Sequence, residues 1–213
     1  MEARFCDETD FGFGWIAPQP ASMLRASHAL ADGGRVWLLD PVECEGVDER
    51  IRALGEPAGV IQLLDRHARD CVALAERYGV PLHVTPYDGV PESPFEALEV
   101  VRIPRWKEVA LWWPERRVLA VGDALGTLRY FRAPGEELGV HPLLRLTPPR
   151  ALGRLDPHHV LCGHGWGVHG PGAATALREG LASSRGRTPS WLVGLATDGV
   201  RSLLLRRRAT EET

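Results

Sequence analysis

The feature that most restricts the fold is a strand–helix–strand pattern between residues 59 and 84. Residues 59–64 form an apolar run with the length of a buried strand. Residues 65–78 then place apolar side chains at helical spacing, with Gly79 as the expected end of the helix. Residues 80–84 again have the character of a strand. Such a short βαβ unit requires parallel pairing of its two strands, joined by a right-handed crossover.

The rest of the chain also alternates between strand-like and helix-like segments. An Asp-Gly-Gly turn at 32–34 joins two apolar runs and predicts a hairpin. The other predicted elements are a helix at 47–54, a hairpin of strands 108–113 and 117–121, a group formed by 150–155, 160–162 and a helix at 173–183, and an apolar segment at 191–205 that closes the core as either helix or strand. Together they predict an α/β or α+β layered domain, with a mixed sheet covered by helices.

Composition limits the classes of function. A chain of 213 residues suits a single domain covering 1–213. Its net charge of -3 provides no basic field that would attract nucleic acid or an anionic membrane. The acidic first ten residues do not resemble a secretory signal, and no apolar run reaches the roughly 20 residues of a membrane span. Four scattered cysteines without a Cys-x-x-Cys pair fit a reducing compartment, so we expect a cytoplasmic protein.

Two apolar runs end on glycines that flank an ionisable side chain. The run 118–121 leads into Gly122 and Asp123, and the run 159–162 leads into His164, which lies between two glycines. In α/β folds the ends of strands are the usual place for a site. An aspartate and a histidine at two such ends indicate a metal site or an acid/base site.

A third segment, the Asp-Arg-His-Ala-Arg-Asp-Cys run at 65–71, follows the buried strand at 59–64. In this order the three segments resemble the metallo-β-lactamase fold family of hydrolases. That family has a His-x-His-x-Asp-His run in a strand-to-helix loop, a bridging Asp in a Gly-Asp pair, and a final His in a Gly-His-Gly loop before a helix. Residues 38–41 also look like the family's early strand with its terminal Asp. The resemblance covers about residues 15–185, and it implies an αββα sandwich with the site at strand ends between two sheets.

The resemblance carries over only part of the family's ligand set. It places Asp70, Asp123 and His164 at matching positions. Three positions that hold histidine in the family are here Arg66, Ala68 and Cys71, and no histidine lies near 103–106, where the family has another. The implied metal ligands are therefore Asp70, Asp123 and His164, with His67 and Cys71 as further candidates. Such a set suits zinc, iron or manganese.

Two hypotheses of function follow from this partial match. In the first, the chain is a divergent hydrolase that uses a divalent metal to cleave an ester, thioester, lactone or phosphoester in a small molecule. Asp70 would orient or deprotonate the attacking water, and Arg66 or Arg69 would bind an anionic group of the substrate. In the second, the site is degenerate and free of metal, Asp123 pairs with Arg66 or Arg69, and the chain is a non-catalytic binding or structural domain. Both leave open a homo-oligomer.

Simpler interpretations stand beside these hypotheses. A carboxylate at the start of a helix, such as Asp70, is favoured by the helix dipole without any metal. The histidines of the 158–169 segment could converge on a local metal clip, and its glycines could cradle an anion on backbone N–H groups. The chain has no Gly-x-Ser-x-Gly motif, which argues against a serine hydrolase.

Overall fold

The computed structural model describes residues 2–18 and 23–196. A six-stranded sheet contains the first half of the chain, with its strands in sequence order. These strands are β1 (Arg4–Thr9), β2 (Gly12–Ile16), β3 (Ala26–Asp32), β4 (Arg35–Leu39), β5 (Glu56–Gln62) and β6 (Leu82–Val84). The β3–β4 hairpin is antiparallel and β5 pairs with β6 in parallel, so the predicted hairpin and the predicted βαβ unit are both confirmed.

Two helices belong to this half of the chain, α1 (Val47–Leu54) and α2 (Cys71–Tyr78). Helix α1 has its predicted bounds, whereas α2 begins at Cys71 and not at residue 65. Residues 65–70 instead form turns, and Arg69 has a φ of 39°, which a right-handed helix cannot contain. The segment between β5 and α2 is therefore a loop, and its side chains do not follow helical periodicity.

The second half of the chain contains β7 (Glu96–Ile103), β8 (Trp106–Trp113), β9 (Val118–Val121), β10 (Leu125–Gly126), β11 (Gly139–Val140), β12 (His159–Cys162), β13 (Val168–His169), α3 (Ala173–Ser183) and the 3-10 turns Pro142–Leu144 and Arg150–Arg154. Five of these strands form a second sheet in the order β13-β12-β9-β8-β7. Strands β9 and β12 run in parallel, with Val121 opposite Cys162. The two strand-end motifs therefore lie at the same edge of this sheet.

The two sheets pack face to face, and helices cover both outer faces. Between the sheets, Trp37 and Trp113 each contact Phe95 edge to face, with ring centroids 5.8 and 5.6 Å apart. Helices α1 and α2 bury Ile51 and Leu74 against the first sheet, and α3 packs on the second. This arrangement is the αββα sandwich that the resemblance implies.

Some segments differ from the sequence predictions. Residues 4–9 and 96–103 are strands that no motif had indicated. In the segment 191–205, residues up to 196 are helical, and Leu192 and Val193 are exposed, so this part does not close the core. The remaining residues of that segment lie outside the described residues. No helix in the described ranges is long and apolar enough to cross a membrane.

Candidate metal centre

The loops after β9 and β12 approach each other closely at two glycines. Gly163 N donates a hydrogen bond to Gly122 O at 3.0 Å. A methyl group on Gly163 would lie 2.7 Å from that carbonyl oxygen and 2.9 Å from Cε1 of His67, both closer than van der Waals contact. Because Gly163 has no side chain, His67 in the loop after β5 can pack against the ends of β9 and β12.

Three side chains converge at this point: His67, Asp123 and His164, which we call the central cluster. All three are buried, and one potential ligand atom from each lies within 4.8 Å of the others. The Nε2 atoms of His67 and His164 are each 3.1 Å from Oδ1 of Asp123. That oxygen is buried and accepts no well-directed hydrogen bond. Two ligand atoms that share one zinc ion at ~2.0–2.1 Å lie roughly 2.9–3.4 Å apart, so the distance from each Nε2 to Oδ1 fits a common cation.

Both imidazoles of the central cluster are held by their other nitrogen. Nδ1 of His67 donates to Oδ2 of Asp40 at 2.6 Å, and Nδ1 of His164 donates to the carbonyl oxygen of Met23 at 2.7 Å. Asp40 is itself fixed, because its Oδ1 accepts a hydrogen bond from Leu63 N at 2.8 Å. Each histidine therefore presents Nε2 to the cluster. Metal-binding histidines almost always have this arrangement.

The charges of the cluster favour an ionised carboxylate. Burial by itself raises the pKa of Asp123, but the side chains of His164 and His67 outweigh burial and hold this pKa well below its usual range. Burial lowers the pKa of His67, but the Asp40 carboxylate, together with Asp123, outweighs it and raises the pKa. A buried anion with two imidazoles turned towards it is a site prepared for a cation.

The donor set fits a divalent metal. Two imidazole nitrogens and one carboxylate oxygen form the set of three protein ligands found in several catalytic zinc sites, and the same set suits iron or manganese. Three ligands leave at least one coordination position open, as catalytic sites require. Within residues 2–18 and 23–196, His67, Asp123 and His164 are therefore the candidate ligands of a metal at this centre.

This set differs from the sequence prediction at one position. Asp123 and His164 come together as expected, but the third member is His67, which the sequence had given only as a further candidate. Asp70 lies outside the cluster, and its Oδ2 accepts a hydrogen bond from Glu43 N at 2.8 Å. The reason is the loop at 65–70, which turns His67 inward and leaves Asp70 directly before α2.

Arg69 and Cys71 also have roles other than those predicted. The buried guanidinium of Arg69 donates to Asp40 O at 2.7 Å and to Gly163 O at 2.8 Å. It therefore ties the loops around the centre together, and its Nη2 also lies 3.3 Å from Nδ1 of His67. Cys71 packs in the core beneath α2 and lies outside the central cluster. Burial raises the pKa of its thiol to about 12, which disfavours the thiolate at neutral pH.

Arg66 is the arginine whose guanidinium contacts Asp123. Its side chain is 44% exposed, and Nη2 lies 3.4 Å from Oδ2 of Asp123. The guanidinium stacks over the Trp106 ring at 4.8 Å and donates to Arg105 O through Nη1. Arg66 thus contacts the carboxylate oxygen that does not face the histidines, and it remains open to solvent.

Two buried groups beside the centre were missed from the sequence. His141 follows the two-residue strand β11 and packs against Trp106, with ring centroids 4.8 Å apart. Burial lowers the pKa of His141 to about 4. Glu108, on β8, accepts hydrogen bonds from Ala124 N at 2.8 Å and Trp106 Nε1 at 3.0 Å, and burial raises its pKa to about 7. A charged residue inside an apolar strand was a visible signal for Glu108, whereas His141 had none.

No protein-family model matches the sequence, and no curated protein matches it. Solved structures match over most of the chain. The DIM-1 metallo-β-lactamase exposed to ceftazidime is 13% identical, with a TM-score of 0.59, and the match covers 89% of this chain and 97% of that one. TMB-1 is 12% identical with a TM-score of 0.59, covering 89% and 98%. A metallo-β-lactamase from Pontibacter korlensis is 12% identical with a TM-score of 0.54, covering 85% and 99%. The chain has the metallo-β-lactamase fold.

Proposed function

We propose that this protein is a hydrolase that uses a divalent metal to cleave an ester, thioester, lactone or phosphoester bond in a small anionic molecule. The observation that carries the proposal is the convergence of two imidazole Nε2 atoms on one buried carboxylate oxygen, Oδ1 of Asp123. The cluster lies at the ends of β9 and β12 in a fold that this chain shares with solved metallo-β-lactamases, which supports the same function.

His67, Asp123 and His164 would hold the metal. A bound divalent cation would supply Lewis acidity, which activates water at neutral pH and polarises the bond to be cleaved. The protein contributes the fixed orientation of the ligands. Asp40 and the Met23 carbonyl hold the two imidazoles, so Nε2 of each needs no rearrangement on binding.

Arg66 would select an anionic substrate. Its guanidinium can leave Oδ2 of Asp123 and bind a carboxylate or phosphate in bidentate fashion, since it is half-exposed and the contact is long at 3.4 Å. Trp106 supports it from below through the cation–π contact. The guanidinium therefore stands where the anionic part of a substrate would approach the cluster.

His141 would assist as a neutral hydrogen-bond donor. Its Nδ1 accepts a hydrogen bond from Leu143 N at 3.2 Å, so the single proton of the neutral ring lies on Nε2. A pKa lowered by burial to about 4 keeps the ring neutral at physiological pH. A donor of this kind stabilises the negative charge that develops on the oxygen of an attacked carbonyl or phosphoryl group.

The second candidate function is a metal-free binding or structural domain. The observation that favours it is the contact between Arg66 and Asp123, because a guanidinium beside the carboxylate places positive charge close to the position of a cation. In this case His67 and His164 would only pack around Asp123, and no ion would bind between them.

A metal-dependence assay separates the two. Protein freed of metal with a chelator is supplied in turn with Zn²⁺, Mn²⁺ and Fe²⁺ and assayed on chromogenic esters, thioesters, lactones and phosphodiesters. We expect hydrolysis only with metal, and a loss of at least ~100-fold in H67A and H164A. D70A is the matched control, since Asp70 lies outside the cluster, and it should retain activity. No bound metal and no hydrolysis in any preparation would favour the metal-free domain.

A further inference from the structure

A second group of histidines lies away from the central cluster, where the edge strand β13 meets β12 and β1. Its members are Asp7, His158, His159 and His169, which we call the edge cluster. None of them belongs to the central cluster, and no step of the proposed hydrolysis uses them. The three imidazoles form a row that ends on the buried carboxylate of Asp7.

Asp7 fixes one end of the edge cluster. Its side chain is 3% exposed, and Oδ1 accepts hydrogen bonds from Gly167 N and from Nε2 of His169, both at 2.9 Å. The other oxygen, Oδ2, accepts from Nε2 of His28 at 3.0 Å. Because Nε2 of His169 carries the donated proton, the neutral ring has its lone pair on Nδ1.

His159 presents its own Nδ1 to the same point. Its Nε2 lies 3.2 Å from Nδ1 of His158, which can accept the Nε2 proton. The two Nδ1 atoms of His159 and His169 are 2.9 Å apart. In the tautomers whose Nε2 protons are donated outward, to His158 and to Asp7, the Nδ1 lone pairs of His159 and His169 are both free for a shared ligand. Each imidazole is thus oriented through its remote nitrogen, as metal-binding histidines are.

The separation of the two nitrogens indicates the kind of ion. Two nitrogens bound at ~2.0–2.1 Å lie about 2.9 Å apart when the angle at the metal is about 90°, the angle of square-planar or octahedral coordination. Among first-row divalent ions, Cu²⁺ and Ni²⁺ prefer such geometry and bind imidazole most strongly. The side chain of His169 is 33% exposed, so water or another ligand can occupy the remaining positions.

We propose that His159 and His169 form a second metal site, which binds Cu²⁺ or Ni²⁺ through their two Nδ1 atoms while Asp7 and His158 hold the rings. The bound ion would link β13 to β12, because His159 and His169 are paired between these strands. Asp7 also accepts a hydrogen bond from Gly167 N, which lies in the loop that carries His164. The site does not depend on the proposed hydrolysis.

The test is a Cu²⁺ titration of the full chain, followed by electron paramagnetic resonance. The background variant D123A removes the carboxylate of the central cluster, and H164A serves as a second background. We expect about one equivalent of Cu²⁺ in both, with hyperfine splitting from two imidazole nitrogens. H159A should lose this equivalent. H83A is the matched control, because His83 on β6 lies in neither cluster, and it should keep the equivalent.

A gentler change guards against loss of structure. In H169Q the amide can still donate to Asp7, but it offers no lone pair in place of Nδ1, so Cu²⁺ binding should fall at least ~10-fold while circular dichroism stays unchanged. Equal Cu²⁺ binding in H169Q, H159A and H83A would overturn the proposal. So would the absence of bound Cu²⁺ from both backgrounds, and the edge cluster would then be only a chain of hydrogen bonds.

Discussion

The central cluster and the edge cluster both consist of aspartate and histidine, but the aspartate has a different position in each. In the central cluster Asp123 lies in the middle, and two histidines turn Nε2 towards one of its oxygens. In the edge cluster Asp7 lies at one end, where it accepts a hydrogen bond from Nε2 of His169, the nitrogen that faces away from His159. The central cluster is buried, whereas the edge cluster is partly open to solvent.

This difference shows that the function of an aspartate beside histidines depends on what the remote nitrogens contact. Asp40 and Asp7 occupy equivalent positions, since each accepts a proton from a histidine whose other nitrogen faces the cluster. Asp123 is different, because both neighbouring histidines already donate elsewhere through Nδ1. We therefore propose Asp123 as a ligand and Asp40 and Asp7 as positioning residues.

The largest effect should come from removing the central carboxylate. D123A deletes the only anionic ligand of the central cluster, so affinity for zinc and hydrolytic activity should each fall at least ~100-fold. The edge cluster should keep its affinity for Cu²⁺, which isothermal titration measures separately. Equal losses at both clusters would mean that the two clusters do not bind metal independently.

A smaller effect is expected from the two positioning aspartates. In D40N the amide oxygen can still accept from Leu63 N, but the charge that orients His67 is lost, so zinc affinity should fall ~10–100-fold. D7N should reduce Cu²⁺ affinity at the edge cluster by a similar factor. Competition titration with a chelating dye measures both. If D40N weakened Cu²⁺ binding and D7N weakened zinc binding, the pairing of aspartates with clusters would be wrong.

His141 has no counterpart in the edge cluster and should affect stability through pH. Burial lowers its pKa from 6.5 to about 4, so the unfolded state binds a proton more readily than the folded state. Its contribution is complete above pH 6.5 and is lost as the pH falls towards 4, by on the order of 2 kcal/mol. Urea unfolding at pH 7.5 and 4.5 should show a smaller difference in H141Q than in the wild type. An unchanged difference would place the titrating group elsewhere.

The smallest effect on stability is expected at Arg66. Since its side chain is half-exposed and its contact with Asp123 is long, R66Q should change the free energy of unfolding by less than ~1 kcal/mol. For an anionic substrate we expect KM to rise roughly 10-fold with little change in kcat, which indicates lost binding common to ground state and transition state. R102Q, on the exposed face of β7, is the control. A fall in kcat with constant KM would contradict a role in binding.

The sequence predicted the parts of the site that depend on strands. Asp123 and His164 each follow an apolar run, and the parallel register of β9 and β12 brings the two strand ends together. His67 was uncertain because its direction depends on residues 65–70, where the pattern suggested a helix. The positive φ of Arg69 prevents a helix at this point. The residue type does not predict this φ, because arginine rarely adopts the left-handed conformation. His141 was missed because the short elements around it have no periodicity.

The metal content of the chain purified without chelator tests the proposed ligands of the central cluster. Three proteins are compared after supplementation with zinc and desalting: the wild type, H67A and D70A. We expect about one equivalent of zinc more in the wild type and in D70A than in H67A, because His67 would bind the ion, whereas the side chain of Asp70 accepts a hydrogen bond from Glu43 N outside the cluster. Zinc lost from D70A and retained in H67A, or equal zinc in all three, would contradict the assignment of the central cluster.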